Sequence, residues 1–321
     1  MEKLSPMVQE AFQINSRRIR KEKGRYWCDT PSGHMCVYIT PEPTEAIRTQ
    51  HAIKEQLAEN GFPWTDRFQV TATGQPFITI GRETYVMVRH PYARSETDFD
   101  NDVEVVQAFK YLAHFHSVAC GMPQLLPCAQ PMPEIFARQM AELAQAGKQA
   151  RRGPRMSDFD VSFIKHAASY SEIMQDCINR LTQIGYGALH TQAVSQGTIC
   201  HNSLKEENLP IADGVTYLTN FSEATIDIQL ADVAALIRRY AQRSTKSIPV
   251  SRLLEVYDAV KPLPAEASDI LYPLLIFPWA FMKIVSQYYS KKRNWTPGGL
   301  ISRMDAILAE RESYEKFVEN M

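Results

Sequence analysis

Between Gln196 and Tyr240 the chain gathers polar side chains of the catalytic kind in close order: His201, Ser203, Asn208, the tetrapeptide Thr219-Asn220-Phe221-Ser222, and Asp232. A short apolar run ends on His201 and a polar loop leads to Asn208. Gly214 marks a turn, Thr216 to Leu218 reads as a short strand, and a helix begins near Asp232. Most of what this set offers is uncharged. Ser203 is neither basic nor anionic at pH 7, Asn208 and Asn220 are amides, and Ser222 is a hydroxyl. A hard dication such as Mg²⁺ is normally held through one or two carboxylates. Glu223 is the acid directly beside the tetrapeptide, and strand alternation aims it away from Ser222. Glu206 and Glu207 lie further along the loop from Ser203, where side chains are expected to face solvent.

The elements that must position this stretch follow from periodicity. Met1 to Arg20 reads as a short amphipathic helix, with Val8, Ala11, Phe12 and Ile19 at helical spacing and Arg17, Arg18 and Arg20 at its end. Gly24 to Thr30 and His34 to Thr40 form a hairpin pattern around Pro31-Ser32-Gly33. A helix opens at Pro43-Thr44 and stops at Gly61. Three strands are expected next, at Phe68 to Thr73, Phe77 to Ile80 and Glu83 to Arg89, the last two joined by a tight Gly81-Arg82 turn. A polar run, Arg94 to Asp102, has the character of a hinge. Helices then follow near 105–113, 134–146 and 159–181, and after Asp232 near 232–243, 251–261, 266–287 and 300–319. Lys148 to Arg155 reads as a basic surface loop.

Bulk properties set limits. The 321 residues, 45% hydrophobic, are enough to bury two lobes. A net charge of -1 gives no field for nucleic acid. No apolar run opens the chain, and Leu271 to Ile284 is interrupted by two prolines and a lysine, so no membrane partner is expected. The six cysteines are scattered, without zinc-type spacing, as in a reducing compartment.

The order of polar residues resembles the catalytic core of the kinase-like small-molecule phosphotransferases, the aminoglycoside and choline kinase superfamily. That core reads His-Gly-Asp, four residues, Asn, a strand into Asp-Phe-Asp, then Asp-Leu-Ala. Here it reads His201-Asn202-Ser203, Asn208, Asn220-Phe221-Ser222 and Asp232-Val233-Ala234. Leu275-Ile276-Phe277-Pro278, Phe281, Tyr288-Tyr289-Ser290-Lys291-Lys292, Trp295 and a charged last helix further resemble the tail of CotS-type spore coat proteins, bacterial members of that superfamily.

The resemblance implies a bilobal, protein-kinase-like α+β fold. A small antiparallel lobe with one helix would occupy 1–92, and a mainly helical lobe 93–321 with a degenerate catalytic loop at 199–223. It also implies that Ser203 replaces the base and that Asn220 and Ser222 replace the metal carboxylates. Val37-Tyr38 falls where a phosphate-gripping Lys belongs. Tyr38, Asn208 and Asn220 then mark a vestigial nucleotide and metal cleft, and His201 and Asp232 have structural roles. No cofactor is expected, weak ATP–Mg²⁺ binding being the alternative. The implied function is that of a catalytically defective scaffold, made in the mother-cell cytoplasm and deposited on the spore coat among other coat or assembly proteins. The rivals are an ATP-dependent phosphotransferase of small hydroxylated substrates with Glu206 as shifted base, and a module that binds a nucleotide or sugar in the interlobe cleft without turnover.

Overall fold

The computed structural model describes residues 4–16, 18–31, 33–89, 96–122, 126–152, 156–246, 248–290 and 297–319. The first part of the chain builds an antiparallel sheet. Its strands are β1 (Arg18–Glu22), β2 (Arg25–Thr30), β3 (Gly33–Thr40), β4 (Ile78–Ile80) and β5 (Glu83–Arg89), in spatial order β1-β2-β3-β5-β4. Helix α1 (Pro6–Ala11) covers one face and α2 (Thr44–Glu59) the other.

Alternation along β3 decides which face each side chain joins. Met35 and Val37 pack with Leu4, Val8 and Phe12 of the α1 side. Cys36 and Tyr38 join Ile47, Phe68, Val86 and Val88 on the opposite face, toward α2.

The α2 helix ends in a Schellman motif. Phe62 N–H donates to Leu57 O (2.7 Å) and Gly61 N–H to Ala58 O (3.1 Å), with Gly61 at φ +97°. Leu57 and Phe62 are both buried in the core of the larger lobe, so the stop also fastens the lobes together. The Gly81-Arg82 turn has its positive φ at Gly81 (+64°) alone, as a II′ turn requires.

The larger lobe is helical: α3 (Asp102–Val118), α4 (Met132–Ala150), α5 (Asp158–Gln183), α6 (Tyr186–Gln196), α7 (Leu230–Arg243), α8 (Val250–Asp258), α9 (Ala267–Ile276), α10 (Trp279–Tyr289) and α11 (Pro297–Glu319). Between α6 and α7 lie two short pairs, β6 (Ile199–Cys200) with β9 (Thr225–Ile226) and, nested inside it, β7 (Ile211–Ala212) with β8 (Val215–Thr216). Asp213 and Gly214, both at positive φ, turn β7 into β8. The fold is the expected bilobal α+β arrangement.

Several elements differ from the sequence expectations. The first helix stops at Ala11, and Arg18–Glu22 instead pairs with β2 as a charged edge strand, where solvent-facing Arg and Lys blunt further pairing. Phe68–Thr73 is not a strand. Phe68 makes one bridge to Val88, and the chain then turns at Thr71–Gly74. Gly185-Tyr186-Gly187 opens α6, a helix the pattern did not mark. Lys148 lies in α4, while 153–155 fall outside the described residues. The 266–287 helix is two helices, broken at Phe277-Pro278 because proline brings no amide proton and crowds the preceding turn. This stretch, Ala267–Tyr289, is long and apolar enough on composition to cross a membrane, but more than half of it is buried inside the lobe.

The 92/93 boundary lies outside the described residues, as does the start of the hinge and, in the tail, Lys291, Lys292 and Trp295. Tyr288 and Tyr289, which are described, pack inward. Tyr288 stacks on Phe159 at 3.9 Å, and its hydroxyl lies 2.8 Å from that of Ser157. Tyr289 donates to Asp160 (2.7 Å). Ser157 and Asp160 are the capping box of α5, so the Tyr pair locks that helix start to α10.

Candidate active-site cleft

The β6–β9 pair delivers His201 next to the start of α7, where one carboxylate organises the loop. Asp232, with no exposed surface, accepts His201 N–H (2.5 Å) and Asn202 N–H (2.9 Å). It also accepts His116 Nε2–H from α3 (3.2 Å), and His116 Nδ1 in turn accepts the Tyr257 hydroxyl of α8 (2.8 Å). Burial by itself raises a carboxyl's pKa, but these donors outweigh it and hold Asp232 below its ordinary value.

His201 is equally buried, and burial lowers its pKa, so the ring is neutral at pH 7. Its Nε2–H donates to Thr219 O (2.9 Å) and its Nδ1 accepts Ser203 N–H (3.3 Å). The ring also stands edge-on to Phe221, with centres 4.7 Å apart. His201 thereby joins the loop to the Asn220-Phe221-Ser222 turn.

Along that seam the four neutral positions form one hydrogen-bonded chain. Asn208 Nδ2 donates to both Ser203 O (2.8 Å) and Ser203 Oγ (2.9 Å). Asn220 Nδ2 donates to Asn208 Oδ1 (3.5 Å), and Ser222 Oγ–H donates to Asn220 Oδ1 (2.8 Å). Asn220 holds φ +63°, a left-handed conformation Asn tolerates better than most residues. Both amide oxygens, the atoms best suited to face a cation, already accept from neighbours. This donor set does not fit Mg²⁺, which is normally held through charged oxygens.

Tyr38, Asn208 and Asn220 line one interlobe cavity of about 1410 Å³. Tyr38 lies under the guanidinium of Arg25, 5.2 Å from ring centre to charge. Burial, with help from Asp66, pushes its hydroxyl pKa up, so the group is a neutral phenol. Carboxylates outnumber basic groups among the described residues around the cavity. Glu22, Glu42, Asp66, Glu96, Asp98, Asp100, Glu206 and Glu207 line it with Lys23, Arg25 and Arg243.

Two residues escaped the sequence reading. Lys54 of α2 is 1% exposed, and its ammonium lies 2.8 Å from Asp66 Oδ1 and donates to Asp66 O (3.1 Å). Asp66 in turn accepts Asn220 N–H at 3.4 Å and lines the cleft, with Lys54 buried behind it. A Lys on an apolar helix face, at i+1 from Ile53 and i−3 from Leu57, was the available signal.

Glu206 corrects an expectation. It is 8% exposed rather than solvent-facing, and Arg239 and Arg243 of α7 clamp its carboxylate. Burial would raise its pKa, but its own backbone N–H and both guanidinium groups reverse this and keep it below the ordinary value. A carboxylate held ionised between two arginines is a poor proton acceptor. Among the described residues no cluster of three or more His, Cys, Asp or Glu is placed to hold a metal ion.

Residues 5–321 match the family model described as spore coat putative kinase YutH. The chain belongs to this spore coat family. Spore coat protein S of Bacillus subtilis (strain 168) is 23% identical over 295 residues, covering 88% of this chain and 81% of that protein. The fold of this family member is that of the kinase-like phosphotransferases. An aminoglycoside phosphotransferase from Alicyclobacillus acidocaldarius superposes with TM-score 0.85 at 17% identity, over 99% of this chain and 96% of its own. The AMP-bound spectinomycin phosphotransferase superposes with TM-score 0.67 at 10% identity, over 97% and 96%.

Proposed function

We propose that this spore coat family member is a catalytically defective kinase-like protein that serves the coat as a structural or scaffolding component. The observation that carries the reading is the uncharged chain Ser203–Asn208–Asn220–Ser222, set where the related fold needs a base and metal carboxylates. Phosphoryl transfer depends on positioning, metal and positive charge rather than covalent help from the protein. Loss of a positioned base alone costs about 10²- to 10⁴-fold. Clamping of Glu206 argues against a displaced base, and the acid-rich cleft wall argues against a tight phosphate grip. Other coat or assembly proteins are the expected partners, with synthesis in the mother-cell cytoplasm before assembly on the spore.

A second reading keeps the cleft as a ligand site without turnover. It is favoured by the size of the cavity and its aromatic residues, Trp27, Tyr38 and Phe68.

The test is a thermal-shift titration with ATP, with and without Mg²⁺, on the wild type and on the Ser203→Asp, Asn220→Asp double variant. A ligand that binds only the native state at 100 times its Kd adds about 2.7 kcal/mol. The expected outcome is no shift for wild type and a Mg²⁺-dependent shift for the double variant. A shift of several degrees in wild type without turnover would move the binding-module reading ahead. Conversion of ATP to ADP that is lost in Glu206→Gln would establish the enzyme.

A further inference from the structure

On the large lobe, away from the cleft, a second cavity of about 460 Å³ opens between α7, the α9–α10 break and α11. That volume is typical of small-molecule sites. Tyr170, Trp279, Phe281, Tyr314 and Phe317 give it aromatic walls.

One cation stands among them. Arg238 of α7 donates from Nη1 to Leu274 O (2.8 Å), and its guanidinium carbon lies 5.4 Å from the Trp279 ring centre. A helical carbonyl at 274 would normally accept the N–H of residue 278, but residue 278 is proline. Trp279 Nε1–H already reaches the same oxygen at 3.3 Å, so a neutral donor serves that carbonyl. A full positive charge is more than the break requires.

Of the other charges around the cavity, Arg311 pairs with Glu315 (2.7 Å) and Lys246 with Asp102 (3.6 Å), while Glu310 has no ion-pair partner among the described residues but is exposed, so water solvates it. Among the described residues, Arg238 pairs with no carboxylate and has no hydrogen-bond acceptor beyond Leu274 O. A guanidinium has five N–H donors in a planar fork that fits a carboxylate bidentately. Burial also lowers its pKa, with the Tyr314 hydroxyl acting in the opposite direction.

We propose that this cavity binds a monocarboxylate carried on an aromatic or branched apolar body, the carboxylate on Arg238 and the body against the surrounding rings. A single buried cation without a carboxylate partner matches a single negative charge, since a dianion such as phosphate would leave excess charge against the aromatic rings around Arg238. The carboxylate has two natural sources, a free small acid or the C-terminus of a polypeptide ending in an apolar residue.

The experiment uses the full chain, with calorimetry and tryptophan fluorescence as readouts. The small-molecule probes are 3-phenylpropionate and its neutral amide. The peptide probes are an N-acetylated tetrapeptide ending in Phe, with a free or an amidated C-terminus. The free acids should bind saturably and at least ~10-fold tighter than their amides, the range of one charge-assisted hydrogen bond. Arg238→Gln should bring that ratio close to one. Ala280→Phe, which fills the cavity and leaves Arg238 in place, should abolish binding without lowering the melting temperature, so the test survives if Arg238→Gln folds poorly. Preference for the peptide acid assigns a chain end as the source, and preference for 3-phenylpropionate a small acid. Equal binding of acid and amide by wild type overturns the proposal. So does the absence of saturable binding at millimolar concentration, or binding that persists in Ala280→Phe.

Discussion

The Lys54 ammonium lies 2.8 Å from the Asp66 carboxylate in a nearly closed site beneath the cleft, within 4.2 Å of the Phe68 ring centre. Removing one partner of such a pair strands the other. Lys54→Met is therefore expected to lose about 3–5 kcal/mol, and Lys54→Met with Asp66→Leu to recover most of that. Urea unfolding of the two variants measures it. Equal losses in both would mean that apolar packing, rather than the stranded charge, sets the cost.

Glu206 is expected to behave as a structural anchor. Glu206→Gln leaves Arg239 and Arg243 without their shared carboxylate and should cost about 1–3 kcal/mol. The midpoint should move without altering the response to Mg²⁺-ATP. A ligand response that changes while stability stays constant would give Glu206 a role in the cleft.

Asp227 sets a pH dependence. Burial, reinforced by the nearby Asp232 carboxylate, pushes its carboxyl from 3.8 up to about 7, although Ile228 N–H pulls the other way. Between these values the folded state holds a proton that the unfolded chain has released. This group's contribution is therefore intact below pH 4 and falls as pH rises to about 7, by something on the order of 4 kcal/mol. Asp227→Asn should flatten that part of the stability profile. A slope unchanged between pH 4 and 7 would assign it to other groups.

Gly61 offers a backbone test. A Cβ there meets nothing within 4 Å, so Gly61→Ala brings no clash and only the strain of φ +97°. The expected loss is about 1–2 kcal/mol, read by thermal melting. A neutral substitution would show that the α2 stop relaxes without the Schellman geometry.

The loop from His201 to Asp232 was legible because its chemistry is local. Residue type and spacing determined where the loop, the Gly214 turn and the start of α7 fall, and the absence of acids at 203, 220 and 222 is a property of the sequence itself. The main helices were legible for a similar reason, since an apolar stripe at 3.6-residue spacing forms only one kind of buried face. Elements that depend on a neighbour were less readable. Arg18–Glu22 is a strand because β2 offers it a partner, and Phe68–Thr73 fails to be one because Thr71–Gly74 turns the chain away after a single bridge.

Charge partners lay furthest from view. Sequence placed Glu206 on a loop and Lys54 on a helix. Only the tertiary structure brought α7's Arg239 and Arg243 onto the first and Asp66 against the second. Arg238 is the same kind of case. Its sequence neighbours read as an amphipathic helix, and only the packing of α9, α10 and α11 around it leaves a cation facing aromatic rings with no carboxylate partner among the described residues. Backbone periodicity and residue chemistry act over a few residues, so the chain by itself determined its lobes and the uncharged side chains at 203, 208, 220 and 222. Burial and ion pairing act through space, and the fold alone decided which charges are clamped, buried or left waiting.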